Sequence, residues 1–201
     1  MVLPNQLTIL RIILTPVFLF LFLSDEPVMI QLSLAVFIIA ALTDWYDGWL
    51  ARKFNYITEW GKFWDPMADK ILTSAAFAGF VVIGVLSWWM VVLIVTRDLV
   101  VTILRLFAEN RGAAFVTSYY AKWKTVFQMI FLYYLLVVYT AINTQWINIE
   151  NELILSILWN ENLIYFLMLL ITIITVHSGY TYLYRNRKLI TDLFSETNKL
   201  L

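Results

Sequence analysis

The sequence has no cysteine and a single histidine, and only 14% of its residues are charged. The lack of cysteine excludes disulfides and thiolate chemistry, although it does not identify a compartment. Lysine and arginine together number 14, as do aspartate and glutamate, so the formal net charge is zero. A chain without a strong basic or acidic field is not expected to bind nucleic acid.

Apolar residues make up 62% of the 201 residues, and the mean hydropathy is +0.78. A soluble domain of this length could not bury so much apolar surface. No basic segment precedes the first apolar run and no small-residue cleavage site follows it, so we expect no cleaved signal peptide. The composition therefore predicts one integral membrane domain over residues 1–201.

Six stretches of the chain are apolar over about the 20 residues that a helix needs to cross a bilayer. They predict an all-α fold with six transmembrane helices, at about residues 6–23, 28–51, 59–83, 87–109, 118–139 and 161–184. Residues 143–160 mix polar and apolar side chains. That pattern does not distinguish a loop from a surface helix.

Basic residues are distributed unevenly among the connections between these helices. The connections one–two, three–four and five–six contain no lysine or arginine, whereas the other connections and the C-terminal tail contain several. Because lysine and arginine mark the cytoplasmic side, we expect both termini there. Tryptophans would form an aromatic belt on the opposite side, namely Trp88, Trp89, Trp146 and Trp159.

Four carboxylates, Asp44, Asp47, Asp65 and Asp69, lie within this apolar chain. Their spacings of three and four place each pair on one face of a helix. Ionisable residues in membrane segments are costly and usually mark a functional site. Four neighbouring carboxylates repel one another unless they take up protons or gather cations.

Divalent cations are the simplest partners for such a cluster. Mg²⁺ and Mn²⁺ favour carboxylate ligands, and two such ions roughly 3.5–4 Å apart are a common clamp for displacement at phosphorus. The spacing therefore predicts a site for two divalent metal ions. The alternative is that the carboxylates form ion pairs with nearby cations, namely Arg52, Lys53, Lys62 and Lys70.

The acidic stretch also resembles a known signature. It reads Asp-x2-Asp-Gly-x2-Ala-Arg-x8-Gly-x3-Asp-x3-Asp from Asp44 to Asp69, and its other fixed residues are Gly48, Ala51, Arg52 and Gly61. At every fixed position this matches the signature of the CDP-alcohol phosphotransferases, which are integral membrane enzymes of phospholipid synthesis. Residues 4–11, 97–105 and 122–129 resemble the branch of this family that uses sn-glycerol 3-phosphate as acceptor.

The resemblance implies roles for these residues. Asp44, Asp47 and Asp65 would hold Mg²⁺ or Mn²⁺, and Asp69 would share a metal ion and act as catalytic base. The donor CDP-diacylglycerol would be bound by Asp44 together with the other fixed residues, namely Gly48, Ala51, Arg52 and Gly61. The family likeness further implies a homodimer surrounded by membrane lipids, and a bacterial cytoplasmic membrane is the expected location.

Four cations, Arg97, Arg105, Lys122 and Lys124, lie at the expected cytoplasmic ends of the fourth and fifth predicted helices. Arg97 and Arg105 are eight residues apart and so share one helix face. Converging cations suit a phosphate monoester, and we therefore predict that they bind the phosphate of the acceptor. The alternative is that they are ordinary cytoplasmic flanking residues whose side chains extend towards water.

Asn5, Thr8 and Arg11 follow one another at intervals of three along one side of the first predicted helix. They could hydrogen-bond a lipid phosphate or the acceptor. The alternative is an N-terminal cap with an arginine that extends to the membrane surface.

Two other functions are compatible with parts of this pattern. The first is a relative in the same family with another acceptor: inositol phosphate, phosphatidylglycerol or serine. The second is a transporter with an acidic cation site. An ion pathway has no need of small residues and an arginine beside the acids, and transport sites usually lie at the midplane of the membrane. The sequence therefore favours the enzyme.

Overall fold

The computed structural model describes residues 3–54, 59–111 and 119–191. Within these ranges the chain is helical and contains no strand, which confirms the predicted all-α class. The elements in chain order are α1 (Leu3–Phe22), α2 (Pro27–Phe54), α3 (Glu59–Val82), α4 (Trp88–Asn110), α5 (Tyr119–Ile142), α6 (Gln145–Leu158) and α7 (Glu161–Arg185).

Each of the six predicted helices corresponds to one of these elements. The seventh element, α6, occupies the segment for which the sequence did not distinguish a loop from a surface helix. It bends at Asn151, where φ is −127° and ψ is 22°. The helix ends follow local sequence signals. Pro27 begins α2, where its missing N–H costs nothing. Asn160 caps α7 by accepting a hydrogen bond from the Leu163 N–H, and Gly84 turns the chain between α3 and α4 with a φ of 80°.

Four helices are long and apolar enough to cross a membrane, over Asn5–Phe22, Pro27–Leu50, Lys122–Ile142 and Glu161–Arg185. The helices α3 and α4 have similar lengths, 24 and 23 residues, but each carries a group of ionisable side chains that lowers its hydropathy. These side chains include four that the sequence assigns to the site, Asp65, Asp69, Arg97 and Arg105. The membrane crossing of α3 and α4 therefore stays a prediction.

The outer surface of these helices is apolar. Large hydrophobic side chains are exposed along several of them; Phe20, for example, keeps 78% of its surface accessible. A contiguous apolar surface of this kind marks contact with lipid or with another protein. Together with the four apolar helices, it identifies an integral membrane protein.

An aromatic core holds α1, α2 and α3 together at one end of the bundle. The ring centroids of Phe22 and Phe80 are 4.9 Å apart, and those of Phe18 and Phe37 are 5.3 Å apart. Gly79 lets α1 approach α3, because a Cβ atom there would lie 2.9 Å from the Phe22 ring. This core contains residues from the end of α1 and from the end of α3. The start of α1, the end of α2 and the start of α3 therefore meet at the opposite end of the bundle, where the predicted site lies.

Candidate functional site

The four aspartates line one cavity of about 420 Å³ where α2 ends and α3 begins. Gly48 and Pro66 contribute to the same wall. The structure thus brings together Asp44 and Asp47 from α2 with Asp65 and Asp69 from α3. We call this space the acidic cavity.

Arg11 of α1 is the counter-ion of the α2 aspartates. Its guanidinium is fully buried, with Nη2 2.6 Å from Asp47 Oδ2 and Nη1 2.7 Å from Asp44 Oδ1. The Asp47 side chain is 4% exposed, whereas that of Asp44 is 43% exposed. The sequence suggested a lipid, an acceptor or the membrane surface as the partner of Arg11. The structure instead gives it the acids of the next helix.

The α3 aspartates have their own partners. The buried hydroxyl of Thr8 donates a hydrogen bond to Asp65 Oδ1, and Lys70 Nζ lies 3.0 Å from Asp69 Oδ2. Ion pairing, the alternative considered for the acids, is therefore present in part. Arg11 and Lys70 place two positive charges against four carboxylates, which leaves two negative charges among these contacting groups.

The acidic cavity fits a hard divalent cation by the chemistry of its donors. Within the described residues, no three aspartate, glutamate, histidine or cysteine side chains are grouped closely enough to hold a metal ion as they stand. The cavity nevertheless offers four carboxylates, the ligands that Mg²⁺ and Mn²⁺ prefer, and a residual negative charge. The partial exposure of Asp44 and Asp69 leaves both side chains accessible from water.

A second cavity, of about 680 Å³, adjoins the acidic cavity. Pro66 and Asp69 line both spaces. We call the second space the basic cavity, because four cations line it together with two acids. Its charged wall consists of Asp69, Lys70, Arg97, Arg105, Glu109 and Lys122.

Three of the four cations predicted for an acceptor phosphate, Arg97, Arg105 and Lys122, line the basic cavity. Arg105 is on its open side, where Nε lies 2.7 Å from Glu109 Oε1 and both side chains are about half exposed. Lys70 and Tyr182 complete the wall. The sequence indicated Lys70 only as a possible ion-pair partner of the acids and gave Tyr182 no role in the site.

Lys124, the fourth predicted cation, does not line the basic cavity. Its side chain is 1% exposed, and Nζ lies 2.5 Å from Asp98 Oδ1. Asp98 also accepts hydrogen bonds from Arg97 at 2.9 Å and from Gln128 at 3.2 Å. Lys124 therefore lies behind the cavity wall, in a buried network that includes Arg97.

The remaining predicted residues, Gly61, Asn5, Ala51 and Arg52, do not line either cavity in the described part of the chain. Gly61 is buried in the first turn of α3. Asn5 is partly exposed near the start of α1 and is absent from the residues that line the two cavities. Ala51 and Arg52 belong to the last turns of α2, but their side chains lie outside the described part of the chain.

A family model described as CDP-alcohol phosphatidyltransferase matches residues 1–176. The chain is 41% identical over 140 residues to the CDP-diacylglycerol–glycerol-3-phosphate 3-phosphatidyltransferase of Bacillus subtilis, covering 64% of this chain and 72% of the relative. It is 36% identical over 138 residues to the protein of the same name from Salmonella typhimurium, covering 66% and 75%. The relative of that name from Rickettsia bellii is 34% identical over 155 residues, covering 77% and 86%.

Proposed function

We propose that this chain, which belongs to the CDP-alcohol phosphatidyltransferase family, transfers the phosphatidyl group of CDP-diacylglycerol to sn-glycerol 3-phosphate and releases CMP. The names of relatives that are 34–41% identical support this donor and this acceptor. The product would be phosphatidylglycerophosphate, a precursor of phosphatidylglycerol and cardiolipin.

The observation that carries the proposal is the contact between the two cavities. A transferase needs one place for the pyrophosphate of its donor and another for its acceptor, with the reacting atoms between them. The acidic cavity and the basic cavity share Pro66 and Asp69. Asp69 would therefore lie next to both proposed substrates.

The donor would bind at the acidic cavity. We propose that Asp44, Asp47 and Asp65, with Asp69 nearby, hold two Mg²⁺ or Mn²⁺ ions. When bound, these ions would neutralise the charge of the pyrophosphate and of the leaving CMP. Arg11 and Thr8 would keep the carboxylates in position, since each already contacts one or two of them.

The nucleotide would lie along the end of α2 and the start of α3. Gly48 lines the acidic cavity, and Gly61 is buried one turn before Asp65. Residues this small allow a ligand to approach the backbone closely. We propose that Ala51 and Arg52 complete this surface, with the arginine bound to the donor, as the family signature implies.

The acceptor phosphate would bind in the basic cavity. Arg97, Arg105 and Lys122 line it, and Lys70 adds a fourth cation. Charge-assisted hydrogen bonds from arginine and lysine are the usual partners of a phosphate monoester. We propose that Lys124 contributes indirectly, through its contact with Asp98.

Asp69 is the proposed general base. An alcohol is a weak nucleophile, so a positioned base should take its proton as the new bond forms. In the proposed step the 1-hydroxyl oxygen of glycerol 3-phosphate bonds to the lipid-bearing β-phosphorus, and its proton passes to Asp69. The bond from that phosphorus to the bridging oxygen breaks, and the electron pair leaves with CMP.

The proposal includes an arrangement in the membrane. We propose that α3 and α4 cross the bilayer with the four apolar helices, which gives six spans in a single domain over residues 1–201. Both termini and both cavities would face the cytoplasm, where glycerol 3-phosphate and CMP are soluble. A homodimer in a bacterial cytoplasmic membrane, surrounded by lipid, is the expected form, and the relatives named above are bacterial.

The test is a reaction of the purified protein, in nanodiscs, with CDP-diacylglycerol and Mg²⁺ or Mn²⁺. Each acceptor is supplied in turn: glycerol 3-phosphate, inositol phosphate, phosphatidylglycerol and serine. CMP release and the lipid product are measured. Of the four acceptors, we expect only glycerol 3-phosphate to support turnover. This turnover should be lost in excess chelator. Asp65→Asn should be inactive, whereas Asp25→Asn, at an exposed carboxylate between α1 and α2, should not.

Other results would point elsewhere. Faster turnover with another acceptor would reassign the basic cavity within the same family. Full activity in excess chelator would overturn the metal site. Cation flux across the membrane without CMP release would favour the transporter.

A further inference from the structure

Arg97 is held from two sides by side chains of different helices. Its Nη1 donates to Asp98 Oδ1 at 2.9 Å, next to it on α4, and its Nη2 donates to Ser178 Oγ on α7 at 2.8 Å. Arg97 Nε is buried and has no hydrogen-bond partner among the described residues. Since Arg97 also lines the basic cavity, these contacts set the position of a cation that the acceptor would meet.

The hydroxyl of Ser178 is oriented so that its oxygen accepts a hydrogen bond from Arg97. It donates its one proton to the Thr175 carbonyl at 3.1 Å within α7, so its lone pairs are left to accept from Arg97. Ser178 is 2% exposed. A buried acceptor with a fixed proton allows little freedom to the guanidinium bound to it.

The neighbouring residue, Gly179, makes room for the stem of the arginine. A Cβ atom at Gly179 would lie 2.8 Å from Arg97 Cγ and 3.5 Å from Arg97 Nε. A contact of 2.8 Å is shorter than side chains tolerate, and Cγ is too close to the backbone of α4 to swing away freely. Any larger residue at Gly179 would therefore displace Arg97.

We propose that Ser178 and Gly179 are positioning residues for Arg97, so that α7 sets the geometry of the acceptor phosphate site. Both residues lie beyond residues 1–176, which match the family model. The inference rests on the proposed function, because it assumes that Arg97 binds the acceptor. It adds that the affinity for the acceptor depends on a helix that carries none of the charged residues lining the cavity.

The test compares Ser178→Ala and Gly179→Ala with Ser33→Ala in the full-length protein. Ser33 is a matched control: it is also a buried helix serine, and its hydroxyl donates to the Ile30 carbonyl three residues earlier and has no arginine as hydrogen-bond partner among the described residues. KM for glycerol 3-phosphate and KM for CDP-diacylglycerol are measured separately. We expect the acceptor KM to rise roughly 3- to 10-fold in Ser178→Ala and at least as much in Gly179→Ala. The donor KM should stay within about twofold, and Ser33→Ala should change neither.

Repeating both α7 substitutions in an Arg97→Ala background separates positioning from general packing. The two substitutions should then have no further effect on the acceptor KM, because the side chain that they displace is gone. An equal rise in both KM values, an effect that persists without Arg97, or no effect on the acceptor KM would overturn the inference. If Gly179→Ala does not fold, Ser178→Ala decides, since it removes a single oxygen atom.

Failure of the inference and failure of the proposed function give different results. If Arg97→Ala raises the acceptor KM and the α7 variants do not, only the positioning role is overturned. If Arg97→Ala itself leaves the acceptor KM unchanged, the assignment of the basic cavity to the acceptor phosphate is wrong. The positioning role of α7, which depends on that assignment, is then wrong as well.

Discussion

Replacing Arg11 with methionine tests whether the acidic cavity needs its buried counter-ion. The substitution keeps most of the stem but removes the guanidinium that contacts Asp44 and Asp47 at 2.7 and 2.6 Å. Removing one partner of a buried ion pair typically costs about 3–5 kcal/mol, because the other charge stays buried without compensation. We expect the free energy of unfolding to fall by about 3 kcal/mol, at the low end of this range, because the side chain of Asp44 is 43% exposed and keeps contact with water.

The assay is the free energy of unfolding in mixed detergent micelles, measured in chelator so that divalent ions do not contribute. Arg105→Met is the matched control, since its ion pair with Glu109 is solvent-exposed and should contribute less than about 1 kcal/mol. Adding Mg²⁺ should then stabilise Arg11→Met more than the original protein, because a bound cation replaces part of the lost charge.

A double-mutant cycle with Asp47→Asn gives the result that could refute this reasoning. If the ion pair carries the effect, Arg11→Met should cost at least about 1 kcal/mol less when Asp47 is already neutral. Equal costs in the two backgrounds would mean that Arg11 stabilises the bundle through packing alone. Arg11 would then not act as a counter-ion, and the count of two residual negative charges in the acidic cavity would be wrong.

The remaining predictions concern turnover. Asp65→Asn should leave a folded protein without activity and with weakened Mn²⁺ binding, measured from the paramagnetic signal of the free ion; full activity would exclude Asp65 as a ligand. Asp69→Asn should keep metal and donor binding yet lose kcat by about 10²–10⁴-fold. Metal loss as complete as in Asp65→Asn would make Asp69 chiefly a ligand. Lys122→Ala should raise the KM for glycerol 3-phosphate and not the KM for CDP-diacylglycerol; a change in the donor KM alone would move Lys122 to the donor site.

The helices could be predicted from the sequence because the membrane imposes their length. An apolar stretch must be about 20 residues long to cross the bilayer, and polar or proline-containing segments interrupt it. The expected and observed bounds of α7, about 161–184 and Glu161–Arg185, show how closely this rule fixes a helix. It fails for α6, whose 14 residues are too few to span and mix polar with apolar side chains.

The pairing of the aspartates within each helix was predictable, for a local reason. The intervals from Asp44 to Asp47 and from Asp65 to Asp69 place each pair on one helix face. The meeting of the two pairs in one cavity depends on α1, which packs against both α2 and α3 and contacts acids of both helices through Arg11 and Thr8.

The partners of these residues could not be predicted, because they come from helices far away in the sequence. Arg11 is 36 residues from Asp47, and Ser178 is 81 residues from Arg97. In the sequence Lys124 resembles a surface cation at a helix end, yet the structure buries it on Asp98 of α4, 26 residues earlier. Periodicity reports which face of a helix a residue occupies, but not which other helix covers that face.

The distribution of charge between the cavities suits the proposal that one aspartate serves both substrates. A pyrophosphate cannot approach four carboxylates unless cations lie between them, whereas a phosphate monoester is attracted directly to the lysines and arginines of the basic cavity. The two proposed substrates, both anionic, would therefore bind in separate cavities, one through bound cations and the other through the cationic side chains themselves. Asp69 lies at the boundary, with Lys70 3.0 Å away on the basic side and the other aspartates on the acidic side. A base at that boundary would reach the hydroxyl of an acceptor whose phosphate is bound in the basic cavity, away from the carboxylates proposed to bind metal ions.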